Sequence, residues 1–128
     1  MRLLRFVVHD RDIRTGQRKG MVSLAYALLR DDQLSNHDAA RVQLHLSWLE
    51  SNLAVPDRFA RKRNVSHRNT HGLSWVRPDA REVIGHLQAI ADVVQGHGIP
   101  VEILETERPG YVVYEDAAQV VAEPFYGR

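Results

Sequence analysis

The sequence predicts an α+β domain: an antiparallel sheet of about four strands, an N-terminal one plus a C-terminal three-stranded meander, with three helices mainly on one face. Three observations predict this class. Apolar residues recur at i, i+3, i+4, i+7 in three stretches of the middle of the chain. β-branched and aromatic runs occupy the N-terminus and the last third. Strands and helices are grouped, not alternated one for one as a parallel α/β sheet requires. With 128 residues, 44 % of them hydrophobic and 26 % charged, the chain suffices for one core, so residues 1–128 are read as one domain.

Leu3 to Val8 is apolar on both parities and rich in β-formers, which makes it a strand covered on one face and partly on the other, ending in His9-Asp10-Arg11-Asp12. Ile13 to Gly20 contains Thr15-Gly16 and Lys19-Gly20 and reads as a polar connector. Val22, Ala25, Tyr26 and Leu29 share a face and predict a helix from about Met21 to Asp31. Ser35 or Asn36 suits the N-cap of a second helix, with Asp38 in the first turn, where the helix dipole favours an anion. Its stripe is Val42, Leu46, Leu49 and Leu53, and it must stop before Pro56, which lacks the N–H and restricts Val55.

Leu73-Ser74-Trp75-Val76 is a short alternating segment, a small strand or the lead-in to a third helix. Pro78 suits a first helical turn, and Asp79 with Glu82 resembles a capping box. Val83, Ile84, Leu87, Ile90, Ala91 and Val94 form the strongest helical stripe, stopped by Gly96 and Gly98. Val101 to Thr106, Tyr111 to Tyr114 and Gln119 to Ala122 are the strands of the meander, turning at Arg108-Pro109-Gly110 and Glu115-Asp116-Ala117. Apolar residues on both parities predict that a loop or a second copy of the chain covers the other sheet face.

The chain has no cysteine, which excludes disulfides, thiolate metal sites and a cysteine nucleophile. Its N-terminal apolar run is too short for a signal-peptide core, and no stretch approaches the roughly 20 apolar residues of a membrane span. A cytoplasmic protein without membrane contact is expected. The net charge of +1 is unevenly spread. Residues 1–20 hold six Lys/Arg against Asp10 and Asp12 (+4), residues 58–71 hold five and no acid (+5), and residues 101–128 hold six acids against Arg108 and Arg128 (−4).

The long basic loop at about 57–72 is the leading candidate site, because structureless connections of this length inside a domain are commonly functional. Arg58, Arg61, Lys62, Arg63 and Arg68 are suited to phosphates, Asn, Ser and Thr of the segment to hydrogen bonds, and Phe59 or His67 to base stacking, with His71 completing the candidate set. The alternative is a solvated loop whose charges answer the acidic C-terminal strands. His67-x3-His71, even with His9 and Asp10 added, makes a poor metal site among so many cations, so no metal is assigned. No cofactor is expected either; phosphate binding lacks a Gly-rich loop, and serine catalysis lacks a nucleophile elbow.

Glu105, Glu107 and Glu115, with Tyr111 and Tyr114, are the candidates for acid–base chemistry, which would require a desolvated pocket. Trp48 and Trp75 are expected in or beside the core, and His45 and His86 as hydrogen-bonded structural histidines. The stretch Arg108 to Asp116 with Gln119 to Phe125 resembles the C-terminal ends of small bacterial proteins and implies no activity. The leading expectation is a non-catalytic binding or accessory protein that contacts nucleic acid or a ribonucleoprotein through its basic loop. The alternatives are a protein-interaction module acting as a homodimer and a small enzyme.

Overall fold

The computed structural model describes residues 1–11, 16–53 and 72–125. The elements are β1 (Leu3–Arg11), β2 (Arg18–Gly20), α1 (Met21–Arg30), α2 (Asn36–Asn52), β3 (Leu73–Val76), α3 (Arg81–Gly96), β4 (Glu102–Thr106), β5 (Tyr111–Glu115) and β6 (Gln119–Glu123). Among the described residues the class is α+β with three helices and one antiparallel sheet, as predicted, and the sheet has six strands where about four were expected. The basic loop lies outside the described residues except for Gly72.

Strand β1 organises the sheet. Leu3, Phe6, Val7 and Val8 are all buried, so β1 is apolar on both faces and needs neighbours on both edges. One edge pairs with β4, from Leu3↔Thr106 to Val7↔Glu102. The other is shared end to end by β2, bridged at Val7↔Gly20 and Arg11↔Arg18, and β3, bridged at Leu4↔Val76. β6 continues from β3, and β5 from β6.

The predicted meander is therefore corrected: β5 and β6 form a hairpin, whereas β4 is taken by the unsatisfied edge of β1. The predicted connector before α1 also contains β2. This strand has no apolar residue and is held by its backbone bonds to β1, so no hydrophobic period announces it.

Chain length forces the sheet to coil. Thr106 and Tyr111 are five peptide steps apart, at most about 18 Å. In a flat sheet β4 and β5 would be separated by four strand spacings, about 19 Å sideways, before adding their offset along the strands. Coiling creates two cores. On the helical face, Phe6, Val8 and Val76 pack with Met21, Ala25, Leu46, Leu87 and Ile90. On the opposite face, Leu3, Trp75 and Val120 close a smaller cluster with Leu73 and Leu104. The apolar second face is thus covered, in part, within one chain.

Helix ends follow local chemistry. The Ser35 hydroxyl accepts the Asp38 N–H at 3.1 Å and caps α2 as expected. The predicted Asp79–Glu82 capping box does not form. Arg77 to Ala80 makes a turn, closed by the Ala80 N–H on the Arg77 carbonyl at 3.0 Å, and α3 starts one residue later, with no side-chain cap.

Candidate anion-binding cleft

Where β2 ends and β3 begins, β1 presents Arg5 and Phe6 opposite the junction. Arg5 is 7 % exposed. Its Nη2 donates to the Arg18 carbonyl at 2.8 Å and lies beside Gly20, where an added Cβ would stand 3.9 Å away. Burial, with the Arg18 charge adding to it, lowers the Arg5 pKa to about 10. No carboxylate pairs with Arg5 among the described residues.

Arg18 continues the cationic wall. Its Nε donates to the Val8 carbonyl at 3.0 Å and its Nη1 to the Glu102 carboxylate, which this bond holds below the usual carboxylate range. Its Nη2 is buried and has no acceptor among the described residues. A buried guanidinium without a counter-charge and a buried N–H without an acceptor both carry a desolvation cost that an anion would offset.

Both arginines line a cleft of about 760 Å³ between α1, the end of α2 and the sheet. Phe6, Met21, Leu24, Leu49, Val76 and Leu87 supply apolar walls. Among the described lining residues Arg5, Arg18, Lys19 and Arg30 stand against one acid, Asp10, and Ser74 donates to Gln119 Oε1 at 2.5 Å. Size, apolar lining and a few convergent polar groups are the ordinary features of a small-molecule site.

The predicted site residues Arg58, Arg61, Lys62, Arg63, His67, Arg68 and His71 all lie outside the described residues. Three of the N-terminal cations have partners within the chain: Arg2 pairs with Glu105 at 2.5 Å, Arg18 with Glu102, and Arg11 donates to the Gly16 carbonyl. The acid–base candidates do not converge on a desolvated pocket. Glu105, Glu107 and Glu115 are exposed, and Glu115 is paired with Arg77 at 3.0 Å. Trp75 is buried in the second core, and His45 and His86 are bonded to each other.

Among the described residues no three His, Asp or Glu side chains gather as a metal site, and no helix is long and apolar enough to cross a membrane. Arg5 was the missed signal. A lone arginine within Leu-Leu-Arg-Phe-Val-Val, on a strand expected to be covered on both faces, is a buried charge that asks for a partner. No family model, curated protein or solved structure matches this chain.

Proposed function

We propose that the protein is a binding protein for a small anion with an apolar body, held with its charged group on Arg5 and Arg18 and its body against Phe6, Met21 and Leu49. The observation that carries this reading is two groups on one cleft that lack an anion among the described residues, a buried Arg5 guanidinium bonded to a carbonyl but to no carboxylate, and an Arg18 Nη2 with no acceptor. A hydrogen bond to a charged group contributes about 1.5–3 kcal/mol, roughly 10- to 100-fold in affinity. Titration with anilinonaphthalene sulfonate, whose emission rises in an apolar site, should therefore give saturable binding that decanoate displaces, weakened at least about tenfold in Arg18→Ala. Equal affinity in the variant would remove the reading.

A second reading keeps a macromolecular polyanion. Leu53 and Gly72, which flank the basic segment, both line the cleft, and residues 58–71 carry five cations and no acid. If those cations met phosphates of a duplex, log K against log salt would fall with a slope of about −4 to −5, and the triple variant Arg61→Ala, Lys62→Ala, Arg63→Ala would reduce that slope by about 3. An unchanged slope in a DNA-binding titration would dismiss this reading and leave the cleft untouched.

A further inference from the structure

His45 on α2 and His86 on α3 meet across the helix–helix contact with their Nδ1 atoms 2.8 Å apart. Trp48 stacks on His86, the ring centroids 4.2 Å apart and the planes 17° from parallel. A hydrogen bond between two Nδ1 atoms requires that one carry the proton and the other offer its lone pair. One added proton is tolerated, because the donor imidazole takes it on Nε2 and still donates through Nδ1. A second proton turns the acceptor into a donor and sets two cations face to face, so the shared hydrogen bond is lost at that step.

Among the described residues, charges of both signs flank the pair on its own helices. Arg41, one turn before His45 on α2, adds positive charge and is itself 3.9 Å from Asp38. Glu82 precedes His86 by one turn at the start of α3. The only charged residue of α1, which packs against both helices, is Arg30. Burial first, then His86 and Arg41, hold the His45 pKa below its ordinary 6.5. The unfolded chain therefore takes up this proton before the folded one. Stability is full above about pH 6.5, declines as pH falls below it, and levels off once the lower folded-state value is passed.

We infer that His45 and His86 form a proton-operated clasp between α2 and α3 and, resting on the proposed cleft, that double protonation loosens the wall carrying Leu49 and Leu87 and releases the bound anion. Leu49 lies one turn beyond His45 and Leu87 directly follows His86, and both line the cleft. The clasp needs no ligand, whereas the coupling does, so the two are tested separately.

In a Trp75→Phe background Trp48 is the sole indole. Between pH 7.5 and 5.5 its emission should fall as the histidine pair beside it takes up protons, and the melting temperature should drop by about 3–6 °C. His45→Gln and His86→Gln should flatten the melting-temperature change, and the same change in both variants as in the parent overturns the clasp. Imidazole NMR titration of the unsubstituted chain keeps the test decisive if a variant does not fold. Coupled titration with the later step below pH 6.5 supports the clasp, and two independent titrations at the ordinary histidine value overturn it. Anilinonaphthalene sulfonate, charged throughout this range, then reports the coupling. Its affinity should fall at least about fivefold from pH 7.5 to 5.5 in the parent and stay constant in His45→Gln, the size expected of a coupling near 1 kcal/mol. A pH-independent affinity overturns the coupling while leaving cleft and clasp standing; no binding at any pH overturns the cleft and, with it, the coupling.

Discussion

Gly110→Ala is expected to lower the melting temperature by about 10 °C or more. Gly110 has φ 131°, a region essentially restricted to glycine, and a Cβ at this position would stand 2.0 Å from the Glu123 carbonyl oxygen and 2.8 Å from its carbon. Both obstacles are backbone, so rotating a side chain cannot relieve them. The φ strain alone costs about 1–3 kcal/mol, and the clash must displace Tyr111 from Glu123, the first pair of the β5–β6 ladder. Thermal unfolding followed by circular dichroism measures the loss, and amide exchange should show it first along β5 and β6. A shift below about 2 °C would mean that this close approach is not present in solution.

Arg5→Met should separate stability from binding in opposite directions. Methionine fills a similar volume without a charge; even a buried ion pair can be replaced by apolar groups of similar volume with a neutral or stabilising effect of about 1–4 kcal/mol, and a buried charge with no opposite partner has less Coulombic attraction to lose. The lost bond to the Arg18 carbonyl subtracts about 1 kcal/mol, because that carbonyl is left without this donor. The expected net result is unchanged or higher stability in urea unfolding, together with a 10- to 100-fold weaker affinity for anilinonaphthalene sulfonate. If Arg5 served only to tie β1 to β2, the variant would be destabilised and probe affinity would not change. Such trade-offs between stability and binding are characteristic of functional positions.

The contrast between Leu46 and Arg5 shows how far residues alone reveal this fold. Leu46, with Val42 and Leu49, lies at helical spacing on a stripe that is fully legible in the sequence, and all three are buried as the pattern predicts. Ser35 likewise caps α2, because an N-cap depends on neighbours within one turn. Strand pairing is not local. Nothing within 102–106 says that this strand joins β1 and not β5; the partner is set by the double-sided burial of a strand about a hundred residues away. β2 was illegible for a different reason, since Arg-Lys-Gly carries no apolar residue to register a face.

The cleft was hidden by the same non-locality. Arg18 looks like an ordinary surface cation and Arg5 like an isolated charge in an apolar strand, and only the end-to-end meeting of β2 and β3 brings them to one wall. The uneven charge along the sequence pointed to the right kind of ligand for these N-terminal residues, an anion, while drawing attention to 58–71. The acidic C-terminal strands answer part of the N-terminal charge, through Glu102 on Arg18 and Glu105 on Arg2, and leave Arg5 without a carboxylate among the described residues.

Calorimetric titration of the unsubstituted protein at pH 7.5 with decanoate and, in parallel, with decanol tests the central claim most directly, because the two ligands share an apolar body and differ in charge. Occupation of the arginine wall predicts that decanoate binds at one site per chain and at least about tenfold more tightly than decanol. Equal affinities, or no binding of either, would contradict the assignment of Arg5 and Arg18 as anion-binding groups.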